Sequence, residues 1–156
     1  MDWLDYESEA CSAARALEVL GDRWTMLVLR EIFNGIRRFD EISGHLGVAR
    51  DVLARRLAVL VDEGVLERRP YQQPGARTRY EYRLTQAGRD LRPVLLALME
   101  WGDRHRAGAD GAPAHVVHDD CGAPVHLSLT CEAGHQLPLS ARLRNVPGPG
   151  ARLTPA

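Results

Sequence analysis

FDEISGHLGVARDVLARRLAVLVDEG, residues 39–64, holds two apolar stripes separated by a short turn, and its reading decides the fold. Phe39, Ile42 and Leu46 share one face of a short helix, and Val48, Leu53, Leu57, Leu60 and Val61 give a second stripe at helical spacing. Gly44 and Gly47 are placed to turn the chain between them, and Gly64 fits a helix C-cap. The next stretch, VLERRPYQQPGARTRYEYRLT, alternates in two runs, Val65 to Tyr71 and Arg79 to Leu84, around a loop from Gln72 to Thr78. Its Tyr, Val, Pro and Gly usage predicts a hairpin. Helix, sharp turn, helix and arginine-studded hairpin make a winged helix-turn-helix, mainly α with a small β-wing (an α+β fold).

Upstream, Ser8 to Leu20 reads as a helix stopped by Gly21. Asp22 is placed to cap a second helix running through Trp24, Leu27, Val28 and Ile32 to about Asn34, with Gly35 as its end and Trp24 as core filling. Downstream, Thr85 should cap a further helix, with Gly88 in its first turns and a kink at Pro93. Leu91, Leu95, Leu98 and Gly102 form its stripe, and Val94, Met99 and Trp101 widen it beyond one amphipathic face. Such a helix wants a partner. The economical reading is a homodimer interface built with the N-terminal helix; the alternative is that Trp101 closes the core of a single chain.

Composition changes after His105. AGADGAPA, residues 107–114, reads as a linker, residues 115–145 as a small β-rich C-terminal appendage, and residues 146–156 as a flexible tail, leaving 1–106 as the DNA-binding and dimerisation domain. The appendage contains His118-x2-Cys121 and Cys131-x3-His135 on either side of a possible hairpin, Val125 to Thr130. Two pairs of nitrogen and sulfur ligands so spaced could surround zinc tetrahedrally. The competing reading is a metal-free appendage whose buried cysteines act as small hydrophobes.

The net charge of −1 hides an uneven distribution. Residues 1–36 hold three Arg against seven acids, residues 37–92 twelve against eight, and residues 93–156 five against six. From Arg68 to Arg83 there are five Arg and one acid, a local field suited to phosphate. All twenty basic residues are Arg, so the choice of Arg over Lys in the hairpin carries no local information. Three cysteines in 156 residues make no disulfide scaffold, which points to a reducing cytoplasm. The acidic start MDWLDYESEA has no signal-peptide pattern, and apolar runs such as Val94 to Met99 are far too short to span a bilayer. Nucleophile elbow, phosphate-binding glycine loop and HExxH are all missing, which argues against an enzyme.

LEVLGDRWTMLVLREIFNGIRRFDEI (residues 17–42), LARRL (53–57) and GVLERRPYQQPGARTRYEYRLTQAGRDLRPVLLALMEWG (64–102) together resemble the HxlR family of bacterial transcription regulators over roughly residues 10–102. The resemblance implies a winged-helix dimer on a pseudo-palindromic operator in double-stranded DNA, and it puts Cys11 where many members carry an N-terminal cysteine. One departure is Ala49, where the family usually has Ser or Thr ahead of the recognition helix; losing that N-cap costs about 1 kcal/mol of helix stability.

A helix in the major groove reads base edges while a wing grips the backbone. The core row of the second helix leaves Asp51, Ala54, Arg55 and Ala58 opposite, with Arg50 at its N-terminus. Arg55 is the first choice for base readout, Arg50 and Asp51 follow, and Arg56 is assigned to phosphate. In the wing, Arg77 and Arg79 are assigned to phosphate or the minor groove, with Arg69 and Gln73 behind them. Two inputs compete as the signal: redox chemistry at Cys11, or a small aromatic effector near Trp24, Met26, Met99 and Trp101. The dipole at the start of the first helix and Arg15 one turn on favour a Cys11 thiolate, while Glu7 and Glu9 oppose its ionisation; the effector is preferred, because Cys11 has no resolving cysteine nearby and no clear electrostatic activation. Two other classes stay open: a winged helix used for protein contact without operator binding, and a small metalloenzyme using the C-terminal cluster.

Overall fold

The computed structural model describes residues 3–8, 11–72, 74–75 and 77–154. Glu9 and Gln73, both given roles above, lie outside them. The chain divides into two compact units, residues 1–90 with 146–156, and residues 91–145. The division falls after Asp90, not at the 107–114 linker that composition suggested.

In the first unit, α1 (Ser12–Leu20) and α2 (Arg23–Phe33) precede the helix-turn-helix pair α3 (Phe39–Leu46) and α4 (Arg50–Asp62). The wing follows as β1 (Leu66–Tyr71) and β2 (Arg79–Leu84), and α5 (Gln86–Arg89) ends the unit. Helix α2 starts where its cap predicts: the Asp22 carboxylate accepts from the Trp24 N–H at 2.8 Å. Trp24 is only half-buried, with the Arg23 guanidinium 4.5 Å from its ring centroid, so it is not the core filling expected of it.

The turn between α3 and α4 rests on Gly47 alone, whose φ of 61° is left-handed and whose N–H reaches the Ser43 carbonyl at 3.0 Å. Gly44, expected to share that turn, lies inside α3. The Ser43 hydroxyl also donates to the Val48 carbonyl, clasping the turn at 3.2 Å. Ala49 caps α4 with no side-chain hydrogen bond, as its lack of a hydroxyl dictates. Leu53, Leu57 and Leu60 point inward from α4 against Val28, Leu29, Ile32, Ile42, Val65 and Leu66, all buried; Val48 joins this core from the turn rather than from the helix.

The sheet pairs β1 with β2 antiparallel, Leu66 opposite Leu84 and Tyr71 opposite Arg79. The segment before α3 adds a further edge: Arg38 bridges Glu81, and the Tyr82 N–H donates to the Arg37 carbonyl at 2.9 Å. The wing is thereby tied to the start of α3. Thr85 caps α5, accepting from the Gly88 N–H at 3.2 Å and donating to the Gly64 carbonyl at 2.6 Å. Gly88 is required there by close approach, since a Cβ would sit 2.3 Å from the Val65 carbonyl oxygen. Residues 146–154, expected to be a flexible tail, contribute a backbone pairing: Leu153 bridges Tyr6, the Glu7 N–H reaches Arg152 and the Thr154 N–H reaches Asp5.

In the second unit, α6 (Arg92–His105) is a separate helix with Pro93 in its first turn, not the far side of a proline kink. Proline needs no N–H partner at a helix start, so it begins α6 instead of bending a longer helix. The unit also holds a two-stranded hairpin, β3 (Leu129–Thr130) with β4 (Gln136–Leu137). Glu100 of α6 fastens the extended segment, its carboxylate accepting from the Leu127 N–H at 2.7 Å. No helix among the described residues is long and apolar enough to cross a membrane.

Candidate nucleic-acid interface

Arg50, Asp51 and Arg55 are all exposed on the first turns of α4, the turns a major groove would receive. Asp51 and Arg55 form an i,i+4 pair at 3.2 Å, which leaves both reachable because exposed pairs of this kind are weak. Ala54 and Ala58 line a second, smaller cleft with Phe39, Arg68 and Tyr82, so this face of α4 looks toward the wing. Arg56 is turned away: it pairs with Asp22 at 3.3 Å, and its Nε is buried without a hydrogen-bond partner. It ties α4 to the cap of α2 rather than standing at the flank for phosphate.

An opening of about 700 Å³ lies between the start of α3, the start of α4 and the wing. Arg38, Arg50, Arg68, Arg77 and Arg79 line it against only two acids, Asp40 and Glu41. Three of these guanidiniums rest on aromatic faces, Arg38 on Tyr71 at 4.6 Å, Arg50 on Phe39 at 4.8 Å and Arg68 on Tyr80 at 4.2 Å. Stacking on a ring face leaves a guanidinium's edge able to donate to an anion, and Arg50 and Arg38 already turn theirs to Asp40 and Glu41. Arg69 is held elsewhere in the wing by Glu67 at 2.8 Å. The sequence reading missed Arg38, Arg68 and Asp40; the arginine–aromatic alternation of RRF and of the wing was the signal for the first two.

Asp40 stands in the middle of this cleft. One carboxylate oxygen meets Arg50 at 2.8 Å and the other faces Arg79 at 3.6 Å. The Arg50 hydrogen bond holds the Asp40 carboxyl below the usual carboxylate range, against the smaller opposing effect of desolvation. With a lowered value in the folded state, the pairing is present at neutral pH and is lost only as pH falls through that value.

A buried acid braces the motif from behind. Glu31 of α2 is fully buried and accepts from the Arg30 Nε at 3.0 Å, and the His45 Nδ1 of α3 lies 2.6 Å from its other oxygen. The sequence offered no sign that this acid, among several on helix surfaces, would be inside.

Cys11 is the N-cap residue of α1 and is exposed. The backbone N–H groups of Ala14 and Ala13 lower its thiol pKa below the ordinary cysteine value. The other expected effector residues are split between the units, Trp24 and Met26 in the first, Met99 and Trp101 in the second, and neither cleft above is lined by any of them. Trp101 is 54% exposed and packs at 5.2 Å on His105, so it does not close a core.

The four C-terminal metal candidates come together as two separate pairs. His118 Nδ1 lies 3.3 Å from Cys121 Sγ, and Cys131 Sγ lies 3.5 Å from His135 Nδ1. Each pair is closed by its own turn, Gly122 bonding back to His118 and Gly134 to Cys131. The hairpin therefore encloses Cys131 to His135, not the segment Val125 to Thr130. Among the described residues no group of three or more His, Cys, Asp or Glu side chains is gathered to hold a metal. The cysteines are not buried hydrophobes either: Cys121 is exposed and Cys131 half-buried.

A helix-turn-helix with a β-wing, a basic cleft between them and an exposed recognition helix defines a winged-helix DNA-binding regulator. The family model for HxlR-like helix-turn-helix matches residues 19–110, and the chain belongs to that family. It is 42% identical over 151 residues to the uncharacterized HTH-type transcriptional regulator Rv3095 of Mycobacterium tuberculosis, covering 94% of this chain and 92% of that one. Among solved structures it is similar to PA1607, a candidate transcription factor, with a TM-score of 0.76 and 37% identity over 89% of this chain and 97% of that one. The redox regulator HypR in its reduced form is similar at 28% identity and a TM-score of 0.56, over 62% of this chain and 94% of that one. The chain is a helix-turn-helix transcription regulator and not an enzyme.

Proposed function

We propose that the protein binds a pseudo-palindromic operator as a homodimer, with Arg55 and Arg50 at base edges and Arg77 and Arg79 on the backbone. The observation that carries this reading is the arginine-lined cleft between the start of α4, where Arg50 stands, and the wing, where Arg77 and Arg79 stand. The dimer rests on α6, in which no residue is buried although Val94, Leu98 and Trp101 form an apolar stripe. Arg55→Ala should weaken operator binding by about 1–3 kcal/mol and relax one position of each half-site. Arg79→Ala should weaken all duplexes alike and reduce the salt slope by about 1. Titration at two salt concentrations checks both, and unchanged binding in both variants would refute the assignment.

For the signal, the position of Cys11 favours a thiol switch over the small-molecule effector that the sequence suggested. Two backbone N–H groups at the start of α1 stabilise its thiolate, the reactive form, and the thiol is open to solvent. The similarity to HypR, a redox regulator, supports the same reading. Peroxide should therefore release wild-type protein from its operator and leave Cys11→Ser bound, measured by fluorescence anisotropy. Equal release from both proteins would return the effector reading.

A further inference from the structure

We propose that Asp40 is a positioning residue for DNA recognition: an internal counter-anion that holds Arg50 of the recognition helix and Arg79 of the wing at a set spacing and suppresses binding to unrelated sequence. This rests on the operator-binding reading above.

The geometry is that of a bridge across three elements. Asp40 sits in the first turn of α3, Arg50 opens α4, and Arg79 opens β2. One carboxylate oxygen accepts a hydrogen bond from Arg50 at 2.8 Å, and the other faces Arg79 at 3.6 Å as an ion pair without a hydrogen bond. The carboxylate thus lies between two guanidiniums as a backbone phosphate would, inside a cleft lined by five arginines. The fit is not forced by packing, since Asp40 and both arginines are exposed and water could solvate each of them separately.

Two consequences have different reach. The negative charge opposes every phosphate that approaches Arg50 or Arg79, whatever the sequence, and non-specific binding is almost wholly electrostatic. The fixed spacing matters only in the docked complex, where the recognition helix and wing must engage together; holding groups in their bound geometry reduces the cost of ordering them. Removing the carboxylate therefore raises affinity for any duplex through charge, and lowers affinity for the operator alone through lost spacing. The net result is a protein that binds more and discriminates less.

The test compares full-length wild type, Asp40→Asn and Asp40→Glu on two duplexes of equal length, the selected operator and an unrelated sequence, from about 50 to 200 mM salt. Asp40→Asn should steepen the salt slope by about 0.9, so that its advantage on unrelated DNA shrinks roughly 3-fold across that range. Its operator-to-unrelated affinity ratio should fall several-fold, whereas Asp40→Glu, which keeps the charge, should hold the wild-type slope. Thermal melting of each variant separates loss of fold from loss of function, and a merely structural role would not steepen the slope of a folded protein. Wild-type operator selection with an unaltered slope and ratio in Asp40→Asn would overturn the role of Asp40 alone. A folded wild type that selects no duplex would overturn the DNA reading and this inference with it.

Discussion

Leu98→Asp is expected to lower operator affinity at least about 100-fold while the first unit stays folded. Leu98 is 50% exposed on α6, with Val94 one turn before it and Trp101 one turn after, at 43% and 54%. A contiguous exposed apolar stripe of this kind marks an interaction surface, and in the proposed homodimer a second copy covers it. An aspartate placed there would be buried without a partner, a cost of several kcal/mol. The effect on DNA is larger than on any one contact because a dimer binds its second half-site intramolecularly, a gain of roughly 10²–10⁴ that a monomer forfeits. Sedimentation and operator titration check the two halves of this expectation. A Leu98→Asp dimer with wild-type affinity would show that α6 is not the interface.

Leu57→Ala should destabilise the first unit by about 2–5 kcal/mol. Leu57 is 1% exposed at the centre of the α4 row, where the recognition helix rests on α2 and on β1. Truncation removes buried methyl groups and leaves a cavity in a core, Leu29, Ile42 and Leu60 among its members, that cannot fully collapse into it. Urea unfolding followed by circular dichroism should give a lower midpoint with an unchanged slope. A loss under about 1 kcal/mol would mean that the site relaxes freely and that α4 is not held by this row.

The helix-turn-helix and wing were legible because their signals are local. Stripes at helical spacing, a cap at Asp22, a left-handed glycine at Gly47 and alternation either side of the Gln72 to Thr78 loop each act within a few residues. The family resemblance over residues 10–102 pointed the same way, and the family match over residues 19–110 bears it out. Misreadings came where one residue type serves two geometries. Pro93 could kink a long helix or start a new one, and it starts α6. The first helix, read from Ser8, put Cys11 near its start, where the dipole favours a thiolate; with the helix beginning at Ser12, the thiol stands at the cap itself.

What stayed hidden depends on the tertiary arrangement. Arg50 and Arg79 reach Asp40 only because the segment before α3 joins the wing sheet and the turn at Gly47 brings α4 back beside it. Arg56 has the same exposed-looking position on a helical wheel as a phosphate contact, yet its long side chain lies along the surface to Asp22. The paired residues His118 with Cys121 and Cys131 with His135 were visible as pairs, but whether two pairs converge is set by the path between them, and here each turns on itself.

Sequence-specific binding by a symmetric dimer is tested by selection of bound duplex from a random pool, followed by footprinting. The selected DNA should be an inverted repeat whose half-site centres lie about one helical turn apart, roughly 34 Å, protected on one face. Enrichment of no sequence by folded protein, or of a single asymmetric site, would contradict it.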